Sequence, residues 1–415
     1  MDILPVLSAL RRHRLVMWLL ILEVALTCSI VSNAVFLITS HIERTRMPSG
    51  IAEHELALVE MADISVRPNG KERPQTELAA LQQIPGVKQV ALANGAPFAS
   101  GSNTDVRVEP HQRRRSLNTG LFFGKNLLPA LGTRLIAGRR FLPEEFTDLS
   151  QALAALANDE AREFPHVTIV TQAVAQRLWP GQPAVGKMVY VGKDIPLQVV
   201  GVIESLTRPA GGLFQGAEYS MVLPINADTS YDANKSNGLL YLLRCAPQDR
   251  TRVLKAAVAT LKQLDPNRVL VRARTFDQVR DAYFQNDRAL AGTLVGVCLA
   301  LLIVTALGIV GLASFWVAQR RKLIGVRRAL GATRGDILRY FQTENFLIVT
   351  AGIVLGTALA FALNLELMRF NAMARLPWVY LPIGAVALWC LGQIAILGPA
   401  LRAANVPPVV ATRSV

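Results

Sequence analysis

RRKLIGVRRALGATRGDILRYF, residues 320–341, is a strongly basic segment set between two long apolar runs. It carries Arg320, Arg321, Lys322, Arg327, Arg328, Arg334 and Arg339 against Asp336 alone. Short loops rich in Lys and Arg stay on the cytoplasmic side of a membrane protein, so this segment sets an orientation. Within it, Thr333 and Asp336 have capping-box spacing and predict a helix starting at Arg334. Ile337, Leu338 and Phe341 fall on one face of that helix, away from Arg334 and Arg339. Such a helix can lie along the membrane surface with its apolar side toward a groove in a partner. The competing reading is a purely interfacial helix whose arginines reach lipid headgroups.

Working outward, a helix needs about 20 apolar residues to cross about 30 Å of hydrocarbon. Four stretches qualify: residues 15–40, 288–318, 343–366 and 378–398. Arg11, Arg12 and Arg14 precede the first, and Arg402 and Arg413 follow the last. The end segments 1–14 and 399–415 and the loop 319–342 are therefore expected in the cytoplasm. Residues 41–287 and the short loop 367–377 then lie outside, where Arg369 and Arg375 run mildly against the rule. The first apolar run exceeds the about 7–15 residues of a signal-peptide core and reads as a retained anchor. The expected fold class is a membrane protein with four transmembrane α-helices and a large α+β periplasmic domain between the first and second.

The chain has 415 residues and a net charge of +14, with 51% hydrophobic and 18% charged residues. A soluble protein so basic would suggest nucleic acid. Here the basic residues crowd the edges of apolar runs, so the expected partner is a lipid bilayer and no nucleic acid. Of Cys28, Cys245, Cys298 and Cys390, only Cys245 lies in the soluble middle, and no Cys/His spacing suggests a metal. His13, His41, His54, His111 and His166 are scattered, and no HExxH or GxSxG occurs. No catalytic residue is assigned, and a non-catalytic subunit is expected.

Residues 76–84 and 252–264 read as helices, and 87–92, 239–243 and 269–271 as strands. With a helix at 276–284, they predict a small α/β lobe built from both ends of the domain. Apolar runs at 167–170, 188–191 and 197–203 predict a β-rich lobe over about 120–205. Residues 144–164 read as an insertion with a helix at 149–158, and HQRRR, residues 111–115, as a solvated loop. GQPAVGKM, residues 181–188, matches seven positions of a phosphate-binding loop, but Met188 replaces the hydroxyl that would hold Mg²⁺. The run then continues as a strand, not a helix, so it is read as a turn.

RRKLIGVRRALGATRGDILRYFQTENFLIVTAGIVLG, residues 320–356, resembles the MacB/FtsX-like ABC permeases. Gly325, Arg327, Arg328, Ala329, Leu330, Gly331, Ala332, Ile337 and Glu344 stand at matching places. So do Pro399, Ala403 and Pro407 in the tail. PALGTRLIAGRRF (129–141) and TIVTQAVAQRLWPGQPAVGKMVYVGKDIPLQVVGVI (168–203) resemble the family's periplasmic domain. The resemblance implies a separate cytoplasmic ABC ATPase dimer, which would hold the ATP and Mg²⁺, with no cofactor on this chain. It also implies a second permease subunit and allows a periplasmic adaptor. Arg320, Arg321, Leu323, Gly325, Arg327, Arg328, Leu330, Gly331, Thr333, Asp336 and Ile337 form the expected ATPase-coupling set. The implied role is mechanotransmission for export of an antibiotic, peptide or other amphiphile. The alternatives are an FtsX-like regulator of a cell-wall hydrolase and a Lol-like lipoprotein-release subunit. The expected location is the bacterial inner membrane.

The family commonly has Glu where this chain has Leu323, which suggests one member of a heterodimer, with the Glu retained by its partner. Glu23 and Glu344 are carboxylates within apolar runs, where a charge is expensive and often functional. Gly292 with Gly296, and Gly352 with Gly356, would let helices approach closely. Packing within the chain is expected, with a subunit interface as the alternative.

Overall fold

The computed structural model describes residues 14–62, 73–111, 116–158, 163–209, 216–227, 240–371 and 376–405. The readings of Arg11, Arg12, residues 112–115, Arg375, Pro407 and Arg413 lie outside the described residues. Two compact units emerge, Met1–Arg46 with Asn286–Val415, and Met47–Gln285. The helices are α1 (Arg14–Thr45), α2 (Arg73–Gln82), α3 (Leu127–Leu131), α4 (Leu149–Asn158), α5 (Gln172–Leu178), α6 (Arg250–Leu264), α7 (Phe276–Tyr283), α8 (Gln285–Gln319), α9 (Arg321–Ala329), α10 (Arg334–Asn371) and α11 (Tyr380–Ala404). The strands are β1 (Leu56–Ala62), β2 (Val87–Ala93), β3 (Ser102–Val106), β4 (Leu117–Phe123), β5 (Leu135–Gly138), β6 (Thr147–Asp148), β7 (Val167–Thr171), β8 (Met188–Val191), β9 (Ile195–Ile203), β10 (Ser220–Leu223), β11 (Ile225–Asn226), β12 (Leu240–Cys245) and β13 (Val269–Thr275).

In the first unit, α1, α8, α10 and α11 are long and apolar enough to cross a membrane. Their ends differ from the hydropathy reading. α1 continues to Thr45, α10 begins at Arg334, and α11 runs through Pro399 to Ala404. Hydropathy marks the hydrocarbon boundary, whereas a helix ends where its last N–H and C=O groups find other partners. Gly352 and Gly356 bring α10 against α1. A Cβ on Gly352 would lie 2.7 Å from Val24, and one on Gly356 2.6 Å from the Ala25 carbonyl. Polar groups tie the same bundle, where no water competes for them. The Thr27 and Thr305 hydroxyls are 2.9 Å apart, and the Asn345 amide donates to the Gly392 carbonyl at 2.9 Å. At the end of α1, His41 and Arg44 meet Asp287 at 2.7 and 3.3 Å.

Gly292 and Gly296 do not follow the expectation of packing within the chain, since a Cβ on either would meet nothing within 4 Å. The buried side of α8 runs through Ala291, Cys298, Thr305 and Ile309. At about 100° per residue, Gly292 and Gly296 point well away from that line.

In the second unit, β13-β1-β12-β2 form an antiparallel sheet. Strict alternation splits it between two cores. Ala57, Val59, Tyr241 and Leu243 pack with Leu81 of α2 and with Val253, Ala257 and Leu261 of α6. Leu56, Leu58, Leu240 and Leu242 face the other way and pack with Phe276 and Phe284. Inside the first core, the Tyr241 hydroxyl donates to Glu77, which also accepts from Arg73 at 3.0 Å and Arg268 at 3.1 Å. Burial pushes the Tyr241 hydroxyl well above its usual pKa.

A second sheet has the order β3-β4-β10-β7-β9-β5, with β8 also on β9. It is wider than the expected 120–205 lobe, because β3 and β10 belong to it. β3 reads SNTDV, too polar to announce itself, and its burial alternates along an edge. The phosphate-loop lookalike is a turn into β8. Gly181 and Gly186 take φ of +71° and +87° there. The Gly186 N–H donates to the Val199 carbonyl at 2.7 Å, so a donor that a phosphate would need is spent on the fold.

Candidate coupling site

The segment 320–341 folds as two helices around a tight corner. α9 draws on good helix formers, Arg, Lys and Leu. It stops in a Schellman turn, with the Ala332 N–H on the Arg327 carbonyl at 3.1 Å and the Gly331 N–H on the Arg328 carbonyl at 3.2 Å. Gly331 sits there at φ +100°, which a side chain would strain. α10 then starts on a reciprocal cap. The Thr333 N–H donates to Asp336 at 3.0 Å, and the Asp336 N–H donates to the Thr333 hydroxyl at 3.2 Å.

The corner rests on an apolar plug. Ile324, Ile337 and Phe341 pack with Ala313, Val317 and Ala400. This corrects the expectation that Ile337, Leu338 and Phe341 face a partner. Ile337 and Phe341 are only 5% and 2% exposed, because α10 runs straight on as a spanning helix and turns that face into its own bundle. The exposed apolar face lies on α9 instead. Leu323, Val326 and Leu330 are 54%, 50% and 82% exposed, and their spacing of three and then four residues aligns them.

Beneath that face lies a polar clasp. Arg320 donates to both Glu344 oxygens at 3.1 and 3.0 Å and to the Tyr340 hydroxyl at 3.3 Å. Glu344 is buried and Arg320 nearly so. The Arg327 guanidinium lies 5.0 Å from the centre of the Tyr340 ring. Arg328 donates to the Ala404 carbonyl at 3.1 Å and so caps the end of α11. A groove of about 100 Å³ opens between α9 and α10, lined in part by Leu323, Arg327, Asp336 and Tyr340. The site's Thr333 hydroxyl and Asp336 carboxylate are paired with each other as the helix cap. The site offers an apolar stripe, exposed cations and a buried ion pair joining α8's end to α10.

Of the expected residues, Arg320, Leu323, Arg327, Asp336 and Ile337 meet at the groove, while Arg321, Leu330, Gly331 and Thr333 lie exposed around it and Gly325 is buried in α9. Glu344 joins through Arg320. Glu23 does not join, but faces α8 at Gly308, where a Cβ would lie 2.7 Å from its carboxylate. Two features escaped the sequence reading. One is the pairing of Arg320 with Glu344, which no local spacing announces. The other is Val326, which the spacing of Leu323, Val326 and Leu330 could have revealed.

Comparison with known proteins fits this division. The model of the MacB-like periplasmic core domain matches residues 24–261, and that of the FtsX-like permease C-terminal matches residues 295–408. The macrolide export ATP-binding/permease protein MacB of Rhodospirillum rubrum is 26% identical over 86% of this chain and 51% of its own length. That of Chromobacterium violaceum is 24% identical over 79% of this chain and 48% of its own. The chain thus spans about half the length of the curated relatives it matches. The periplasmic region of MacB from Actinobacillus actinomycetemcomitans is similar at a TM-score of 0.33 and 13% identity, over 58% of this chain and 96% of that one. One spanning helix before and three after a mixed α+β domain in the chain make this a multi-pass protein of the inner membrane. With one family model on the domain and the other on the spanning helices that carry the corner, the chain belongs to the MacB/FtsX-like ABC transporter permease family.

Proposed function

We propose that this chain is the mechanotransmission subunit of an exporter, with α9 as the element that an ABC ATPase grips. The observation that carries the reading is the exposed stripe Leu323, Val326 and Leu330 beside Arg327. Isolated exposed apolar residues are ordinary, but an aligned stripe on a short basic helix has the chemistry of a docking face. The partner is an ABC ATPase dimer, which would hold the ATP and Mg²⁺. Movement of α9 would pull on α8 and α10 together, because Arg320 and Glu344 join them. The spanning helices would pass that motion to the domain, which lies on the periplasmic side by the charge of the 320–341 loop.

The transported class is an antibiotic, peptide or other amphiphile. The relatives are macrolide export ATP-binding/permease proteins, which supports export over regulation of a cell-wall hydrolase or release of lipoproteins. A periplasmic adaptor would complete such a machine. Leu323 adds apolar surface where the family commonly has Glu, which favours an unequal pair of permeases. The test is co-purification of the ATPase with the double variant Arg327→Glu, Leu330→Asp. The expected result is loss of the ATPase from an otherwise folded permease; retained assembly with unchanged ATP turnover would sink the reading.

A further inference from the structure

We propose that the domain carries a binding groove for an anionic amphiphile, beside strand β13. The inference deepens the export reading and rests on it. The groove holds about 150 Å³, well above the about 10–15 Å³ that admits one water. It falls short of the about 300–1,000 Å³ of a drug-sized pocket. It therefore suits a short apolar segment of a ligand rather than a whole large molecule.

Its walls follow from strand register. Leu58 faces Arg274 across β1 and β13, and Glu60 faces Arg272. Leu240 stands opposite Glu60 on the other side. Alternation puts all of these on one face of the sheet. Toward Leu56 the face is sealed by Phe276 and Phe284. Toward Glu60, among the described residues, it forms the groove, with Phe98, Val279 and Tyr283 completing an apolar wall. The Phe98 and Tyr283 rings are 5.2 Å apart and present aromatic surface there.

The rim supplies the charge. The Arg274 side chain is exposed and makes no hydrogen bond or ion pair among the described residues. Arg272 is 60% exposed and only reaches Glu60 at 4.0 Å, a loose contact. Arg280 stacks near Phe98 but is spent on Glu53 at 2.6 Å and on the Met47 carbonyl. Two exposed cations, one of them loosely paired, against one carboxylate leave the rim positive. An apolar wall under a positive rim selects a ligand with a short apolar part and one acidic head, such as a carboxylate. Among the described residues β13 is also an edge strand of the sheet.

The test uses the full chain in nanodiscs of zwitterionic lipid without any ATPase, and saturation-transfer NMR against empty nanodiscs. The probes are octanoate and octylammonium, which differ only in head charge. Octanoate is expected to bind at least about tenfold tighter. The exposed pair Arg272→Gln, Arg274→Gln should abolish that preference without loss of fold, and Arg272→Glu, Arg274→Glu should invert it toward octylammonium. Equal binding of the two probes overturns the proposal, as does a preference untouched by either pair. Binding only to phosphatidylglycerol placed in the nanodisc, with none to octanoate, also overturns it and points to membrane lipid. Because no ATPase is present, failure here leaves the coupling role standing, and failure of ATPase co-purification leaves this groove standing.

Discussion

Glu77 in the domain and Glu344 in the spanning bundle are both carboxylates almost without exposure, and both accept from arginine. Their surroundings separate them. Glu77 is held by Arg73, Arg268 and the Tyr241 hydroxyl inside a closed apolar core. Glu344 is held by Arg320 next to an open groove and under a stripe of exposed Leu and Val on α9. A buried ion pair is weak support for stability or function taken alone. The contrast teaches that the neighbourhood assigns the role. A carboxylate sealed on all sides specifies a fold, and one beside an uncovered apolar face can pass on a force.

That contrast can be broken at its strongest point. Glu77→Leu leaves Arg73 and Arg268 without the carboxylate they share. It should destabilise the domain by about 3–5 kcal/mol. Chemical denaturation of the full chain would read this, and an unshifted midpoint would dissolve the distinction. Next, Leu330→Asp should weaken ATPase binding at least about tenfold while moving stability by no more than about 0.5 kcal/mol. The check is a pull-down titration beside a thermal melt. Glu344→Gln keeps the shape and loses the charge. It should leave ATPase binding in place, cut stimulation of ATP turnover several-fold and cost about 1–3 kcal/mol. Equal loss of binding and stimulation would make Glu344 part of the fold alone.

The smallest effect sharpens the surface limit of the comparison. The Arg244 hydrogen bond holds the half-buried Glu55 carboxyl below the usual carboxylate range. A lowered folded pKa gives stability that is present above the unfolded value of about 4.3 and fades as pH falls through the folded value. With both side chains about a quarter exposed, the contribution stays under about 1 kcal/mol. The stability gap between wild type and Glu55→Gln should therefore narrow below about pH 4.3. A gap that widens there would contradict the pairing.

Much of this was legible in the chain. Long apolar runs and their basic edges reveal four spans, because hydrocarbon imposes one length and one backbone solution. The cap at Thr333 and Asp336 was legible because it is local. The strand β3 was not, since its place depends on pairing with β4, not on its own apolarity. The direction faced by Ile337 and Phe341 was also hidden. Periodicity places residues on one face of a helix, but only packing decides whether that face meets a partner or its own bundle. Arg320 and Glu344 could each be flagged as charges near a membrane, yet their contact depends on the corner between α9 and α10.

The most direct test of the coupling account is photocrosslinking from single positions in the full membrane complex. A benzophenone side chain at Leu330, on the stripe of α9, is compared with one at Leu307, also exposed, on the spanning helix α8. The expected result is a crosslink to the ATPase from position 330 and none from position 307. An ATPase crosslink absent from 330, or equally strong from both, would contradict the claim that this stripe is where the motion enters.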